Sequence, residues 1–277
     1  MDFLFKTLHK SAMDVDIPFV HTDSEEAYAI NLKEYGSDWY YANNPISYKF
    51  NRLGYRMKQL EEVDYDNYYA FFGCSFTVGV GLPLEETFAY KIAQRANVDY
   101  INAAVGGSSV DLVYHNFINL MSGAVKKPKM VFINWPSVYR TFYWVDDNHI
   151  ESMLPNLILD GHWRRTYEDF IVMDYQVFKR FDLIRQAIHL VCDIAKIPVF
   201  EMTTYQDGSQ DGGDATFNSR YPDIITDIPV SRGRIKNNDY LHLDCARDII
   251  KHKNGWNAHP GFLHQHLIVD RFFAVMK

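Results

Sequence analysis

Tyr68-Tyr69-Ala70-Phe71-Phe72-Gly73-Cys74-Ser75-Phe76-Thr77 is a run of aromatic and small apolar residues that passes straight into a Gly-x-Ser-x-Thr turn. Its apolar part lacks helical spacing, is long enough for one buried strand and ends at a glycine, so it reads as a strand over 68–73. In an open α/β sheet, ligands bind beyond the carboxyl ends of the strands, which puts the Ser75 hydroxyl at a crevice. Serine and threonine also close ordinary strand-ending turns by bonding their own backbone, so the turn alone assigns no chemistry. Downstream, Gly79 and Gly81 give a loop before Leu84-Glu85-Glu86-Thr87-Phe88-Ala89-Tyr90-Lys91-Ile92-Ala93, whose apolar positions recur at helical spacing. The local order is strand, serine turn, helix.

The alternation continues outward. The spacing predicts helix 84–96, strand 98–102, helix 109–123, strand 129–134, a long variable stretch, helix 174–195, strand 197–202 and a closing helix from Phe262 to Met276. Strands alternating with helices imply a parallel sheet covered on both faces. Val177, Phe178, Phe181, Ile184, Ile188, Val191 and Ala195 form a helical stripe that is core packing, not a cofactor box. Residues 1–66, rich in Tyr, Asn and acidic groups, are expected as an N-terminal extension of short strands and loops packed on a main domain of residues 67–277.

A chain of 277 residues, 47% of them hydrophobic, can build one sizeable core or two small ones. The formal net charge of −7, with no Lys/Arg-rich face, lacks the electrostatic footprint of nucleic-acid binding. Lys126-Lys127-Pro128-Lys129 reads as a solvated cluster in a helix-to-strand loop. Cys74, Cys192 and Cys245 fit neither a disulfide scaffold nor a metal-ligand pair, which favours a reducing compartment. Met1 to Lys10 has an apolar run too short for a secretory segment, and no run approaches membrane-spanning length. The expected location is the cytoplasm, or a phage or particle released by lysis.

Two further segments sharpen the reading. Tyr100-Ile101-Asn102-Ala103-Ala104-Val105-Gly106-Gly107-Ser108-Ser109 is a second strand end followed by a paired-glycine turn, and His259-Pro260-Gly261 lies near the end of the chain. Serine turn, Asn-x-x-x-x-Gly turn and late His-Pro, in that order, resemble the SGNH (GDSL-type) hydrolase family. Upstream, Asn51-Arg52-Leu53-Gly54-Tyr55-Arg56 resembles the Asn-x-x-Gly-aromatic-Arg segment that precedes the core in some branches, so the resemblance spans roughly residues 45 to 277. It implies a three-layer α/β/α sandwich on a mostly parallel, five-stranded, flavodoxin-like sheet. It also implies Ser75 as nucleophile, with the Ser75 and Gly107 backbone N–H groups as donors to the oxyanion.

The sequence departs from the family pattern at three places. Cys74 replaces the aspartate beside the nucleophile, and a cysteine ending a strand is usually a small buried hydrophobe rather than the nucleophile itself. The Gly-x-Asn-Asp block should follow Met130-Val131-Phe132-Ile133, where the chain reads Asn134-Trp135-Pro136-Ser137. Either Asn134 takes the asparagine position and supplies an amide to the oxyanion, or it aligns with the glycine, Pro136 falls on the asparagine position and that donor is missing. A lost donor typically costs ~10²–10³ in rate. Finally, Trp256 stands where the aspartate of Asp-x-x-His should precede His259. Asp239 to His242 has the spacing but lacks the His-Pro-Gly context, so His259 is read as the base. The acid is Asp248 across an inserted loop, Asp244, or no carboxylate at all in a Ser-His dyad.

These residue types belong together for a chemical reason. A serine hydroxyl is a weak nucleophile until an adjacent imidazole takes its proton, and a carboxylate then fixes the imidazole tautomer and stabilises the imidazolium. The reaction that follows is acyl transfer from an ester to water, or to a sugar hydroxyl. Residues 136–165 and the acidic, turn-rich loop Gln206 to Asp214 are expected to rim the site; the loop does not fit the EF-hand pattern. Trp135, Tyr139, Tyr143, Trp144, Trp163 and Trp256 either stack on a sugar at that rim or fill the core. Among His242, His252, His259, His264 and His266, the pair at 264 and 266 does not share a helix face, so neither metal nor cofactor is expected. The function expected is an esterase acting on a small acyl group, such as acetyl, of a glycan or similar small polar substrate. The alternative is a non-catalytic glycan-binding or structural module on a degenerate form of the fold.

Overall fold

The computed structural model describes residues 13–20, 22–146, 149–153, 174–203, 220–221, 223–224, 246–248, 250–252, 255–257 and 259–276. In chain order its elements begin with β1 (Asp16–Ile17), α1 (Glu25–Tyr35), α2 (Tyr40–Asn43), β2 (Tyr48–Lys49) and β3 (Tyr68–Phe72). Next come α3 (Ser75–Val78), α4 (Phe88–Ala96), β4 (Asp99–Asn102), α5 (Val110–Gly123) and β5 (Met130–Trp135). The remainder are β6 (Thr141–Asp146), β7 (His149–Met153), α6 (Asp174–Ala195), β8 (Val199–Thr203), β9 (Ile250–His252), β10 (Gly255–Asn257) and α7 (Phe262–Val275).

β4, β3, β5 and β8 lie side by side in that order, all parallel, with Ala70 opposite both Ile101 and Val131, and Ile133 opposite Glu201. These are the four strands read from the sequence; the fifth that the resemblance implies is not in this sheet among the described residues. The chain leaves β3 for β4 on one side and then crosses to β5 on the other, so the topological switch point lies between β3 and β5. Strand residues alternate between the two faces. Tyr68, Ala70 and Phe72 join Val131 and Ile133 in one apolar cluster with Val113 and Phe117 of α5 and Phe181 and Ile188 of α6. Phe71, Met130 and Phe132 join Phe88 and Ile92 of α4 and Ile268 and Phe272 of α7 in another. Helices therefore cover both faces of the sheet, and the architecture is a three-layer α/β/α sandwich.

Local chemistry sets the helix limits. The Thr87 hydroxyl accepts from Tyr90 N and starts α4 there, so the stretch 84–96 divides into a 3-10 turn (Leu84–Glu86) and α4. Asn97 ends α4 in the left-handed region at φ 52°. Two elements differ from the sequence reading. Within residues 1–66, where short strands and loops were expected, α1 forms because Ser24 caps it, Glu25 and Glu26 occupy its first turn, and Gly36 closes it at φ 74°. The helix escapes a periodicity search because it exposes Ile30 and buries Asn31. The variable stretch after β5 holds the antiparallel pair β6–β7.

Two of the candidate rim aromatics are core residues. Trp135 shares the sheet face of Val131 and Ile133, is fully buried and packs edge-on against Phe181, and Tyr139 is also buried. The side chains of Tyr143, Trp144 and Trp256, and Trp163 itself, lie outside the described residues, as do the Gln206 to Asp214 loop, Asp239, His242 and Asp244. No described helix is long and apolar enough to cross a membrane.

Candidate active site

Ser75 is the first residue of α3, immediately beyond the carboxyl end of β3 and beside the switch point. The turn before it requires a glycine: a Cβ on Gly73 would lie 2.2 Å from Thr77 Oγ1 and 2.9 Å from the Asn134 carbonyl oxygen. Cys74 is buried, as expected of a strand-ending cysteine. The short helix closes at Gly79, whose N–H donates to the Ser75 carbonyl at 3.0 Å. Arg56, almost wholly buried, braces the loop that follows by donating to the carbonyls of Val78 (3.2 Å), Gly79 (2.6 Å) and Leu82 (2.7 Å). The Asn51-x-x-Gly54 turn aims it: Asn51 Oδ1 accepts from Leu53 N and Tyr55 N, each at 3.0 Å, and Gly54 sits at φ 82°.

Asn102, at the end of β4, ties the second block to the serine helix. Its Nδ2 donates to the Thr77 carbonyl at 2.9 Å while its Oδ1 accepts from Ala104 N at 3.2 Å. Val105 N donates to the Gly73 carbonyl at 3.3 Å, so the loop carrying Gly107, at φ 73°, runs beside the serine turn. Ser109 then caps α5.

His259 and Asp248 arrive from the end of the chain. Asp248 and His259 stand 11 positions apart, and the inserted segment is the antiparallel pair β9–β10, with Ile250 opposite Asn257 and Lys251 opposite Trp256. A hairpin returns the chain to where it left, and Ala246 N donates to the His259 carbonyl at 3.1 Å. His259 Nδ1 consequently lies 2.5 Å from Asp248 Oδ2, and His259 N donates to Asp248 Oδ1 at 3.0 Å. The other ring nitrogen, Nε2, is 2.7 Å from Ser75 Oγ. An ionised carboxylate only accepts, so the proton sits on Nδ1 and Nε2 accepts from the serine hydroxyl. Burial alone raises the Asp248 carboxyl; the attraction of an imidazolium at His259 and the hydrogen bonds from His259 and Thr22 outweigh it and hold the group below its ordinary range. The Phe76 ring packs on the imidazole with centroids 5.1 Å apart.

Of the residues read from sequence, Ser75, His259 and Asp248 come together as one hydrogen-bonded chain. Asn134 lies within β5, wholly buried, and neither of its amide atoms has a hydrogen-bond partner among the described residues. Sequence reasoning passed over Thr22, which bonds Asp248, and the Asp23–Arg247 pair beside it. Thr22 is 226 positions from Asp248, and no spacing rule links the two.

No protein-family profile matches the chain, and no curated protein does. Solved structures do. One is a member of the lipolytic protein G-D-S-L family from Veillonella parvula DSM 2008, at 14% identity, covering 75% of this chain and 97% of that one with a TM-score of 0.40. A second is a psychrotrophic esterase from Pseudoalteromonas sp., at 14% identity, covering 76% and 97% with a TM-score of 0.39. A third is a carbohydrate esterase, at 15% identity, covering 76% and 68% with a TM-score of 0.38. The likeness is to GDSL-type proteins and esterases.

Proposed function

We propose that the protein is a serine esterase of the SGNH type. The observation that carries this reading is the continuous chain from Ser75 Oγ through the His259 ring to Asp248 (2.7 and 2.5 Å), placed at the carboxyl end of β3. Ser75 Oγ attacks the ester carbonyl carbon as its proton passes to His259 Nε2, and the Asp248 carboxylate stabilises the imidazolium that results. The tetrahedral oxyanion accepts from the Ser75 and Gly107 N–H groups, with the Asn134 amide, which has no partner among the described residues, as the third candidate donor. When the carbon–oxygen bond to the alcohol breaks, the leaving alkoxide takes the proton from His259, and Ser75 keeps the acyl group. Water, or a sugar hydroxyl, then gives its proton to His259 and attacks the acyl-serine; the bond to Ser75 Oγ breaks, the acid or a new ester leaves, and His259 returns that proton to Ser75 Oγ.

The proposal extends to a small acyl group, such as acetyl, on a carbohydrate or similarly polar alcohol. Its support there is the resemblance of the sequence blocks. We also assign residues 67–277 as the catalytic domain and residues 1–66 as an extension packed on it, supported by Leu53, Tyr55 and Leu60 sharing an apolar cluster with Ala70 and Phe72. Turnover of p-nitrophenyl acetate tests the reading. The expected result is hydrolysis by the full chain that is lost in both Ser75→Ala and His259→Ala; hydrolysis that survives in Ser75→Ala overturns it.

A further inference from the structure

We infer that Thr22, from the N-terminal segment, is a positioning residue for the acid Asp248, an inference that rests on the esterase reading above. The Thr22 hydroxyl donates to Asp248 Oδ2 at 2.6 Å, the same oxygen that faces His259 Nδ1. Oδ1 accepts from the His259 backbone N–H, so donors fix both carboxylate oxygens and set the plane of the group.

A contact of this kind has a job here that it would lack if the acid stood one turn before the base. The segment 246–248 belongs to no helix or strand and is tied to the base by a hairpin insertion. Several further ties run to the N-terminal segment. Arg247 Nε donates to Asp23 Oδ1 and Oδ2 at 2.8 and 3.1 Å, and Nη2 donates to Oδ2 at 2.8 Å; Asn31 Nδ2 donates to the Arg247 carbonyl at 3.1 Å. Tyr48 donates its hydroxyl proton to Asp23 and accepts from Gly81 N at 2.7 Å. Burial and the Asp23 charge hold that phenol well above its ordinary value, so it remains a neutral donor. Arg247 N closes the circuit by donating to the Gly81 carbonyl at 2.8 Å. Asp23 and Arg247 are 0% and 2% exposed, and removing one member of a buried ion pair leaves the other charge uncompensated. This network locates the backbone of the acid segment. Thr22 is the member that touches the carboxylate itself.

The acid works by direction as well as by charge. A carboxylate turned away from Nδ1 leaves the imidazole in the wrong tautomer or orientation, which slows the chemical step without weakening substrate binding.

Thr22→Val removes the hydroxyl at nearly constant shape, and Thr22→Ser restores it. The full-length variants are compared by kcat and KM for p-nitrophenyl acetate, by the rate of fluorophosphonate labelling at Ser75, and by melting temperature. A hydrogen bond to a charged group predicts a fall of roughly tenfold to a hundredfold in kcat and in labelling rate for Thr22→Val. KM stays within about twofold, and Thr22→Ser recovers most of the rate. If valine prevents folding, Thr22→Ala carries the same comparison. Wild-type labelling at Ser75 with an unchanged rate in Thr22→Val overturns the positioning role alone. So does an equal loss in the serine and valine variants that follows their melting temperatures. A wild-type chain that neither labels at Ser75 nor turns over the ester overturns the esterase reading and this inference together.

Discussion

Gly81 and Asp248 approach so closely that a Cβ on Gly81 would lie 3.1 Å from Asp248 Oδ1. The same Cβ would lie 2.6 Å from Ala246 Cβ and 2.9 Å from Arg247 N. The loop after the serine helix and the segment bearing the acid thus meet backbone to backbone, with Gly81 at φ +78°, where a side chain is strained in any case. Gly81→Ala should push Asp248 away from His259. We expect about 1–3 kcal/mol of destabilisation and a fall in kcat larger than that of an alanine placed at an exposed surface position. Denaturant unfolding and ester turnover measured on one preparation check this, and wild-type values for both would show that the contact has no such consequence.

Asp248→Asn keeps the shape of the acid while reversing what it offers to Nδ1. The amide nitrogen favours a proton on Nε2, which then cannot accept from Ser75 Oγ–H. A fall in kcat on the order of 10⁴ is expected, with KM little changed. Steady-state kinetics decide it; a loss below tenfold would mean that the imidazole is oriented by something other than this carboxylate.

Arg56 serves three backbone carbonyls of residues 78–82 from a fully buried position and lies over the Tyr48 ring, 4.3 Å from its centroid. Arg56→Met leaves those acceptors unpaired while conserving much of the volume. The expected loss is about 3 kcal/mol or more, with ester turnover falling as the loop loosens. Urea unfolding gives the number, and a variant as stable as wild type would contradict this role.

Glu201, in the middle of β8, meets Arg185, His189 and Trp135. It accepts from Arg185 Nη2 at 2.7 Å and from Trp135 Nε1 at 2.8 Å, and lies 2.9 Å from His189 Nε2. Burial raises its carboxyl, but the His189 and Arg185 hydrogen bonds and charges outweigh this and bring it down to about 2. His189 is raised, first by its hydrogen bond to Glu201. A depressed carboxyl contributes stability above its unfolded value of ~4.3 that is lost as pH falls toward the folded value. A raised imidazole contributes stability below its unfolded value of ~6.5 that is lost as pH rises through the folded one. The advantage of wild type over Glu201→Gln in melting temperature should therefore be greatest between about pH 4.3 and 6.5 and shrink on either side. A difference that does not vary with pH would rule this coupling out.

How much of this was legible in the sequence follows from how local each signal is. β5 buries every position, so it reads as an apolar run, and the serine turn is announced by its own glycine and strand. The alternation that places Trp135 with Val131 and Ile133 was present too, but it decides the point only because β5 continues past Asn134, where the sequence reading ended the strand. The acid stayed open among Asp248, Asp244 and a dyad because β9–β10 separates Asp248 from His259, and the closing of a hairpin is a pairing rather than a composition. Thr22 and the Asp23–Arg247 pair had no signal at all, since contacts across more than two hundred positions leave no periodic trace. The helix α1 was missed for the opposite reason: its capping residues are local, but it lacks the apolar stripe by which helices are recognised.

The central claim is that Ser75 is activated by His259 in this arrangement. The most direct measurement exposes the intact chain to a fluorophosphonate and locates the adduct by peptide mass spectrometry. The account predicts a single adduct on Ser75 that disappears in His259→Ala and slows sharply in Asp248→Asn. An adduct on another residue, or labelling of Ser75 at the same rate without His259, would contradict it.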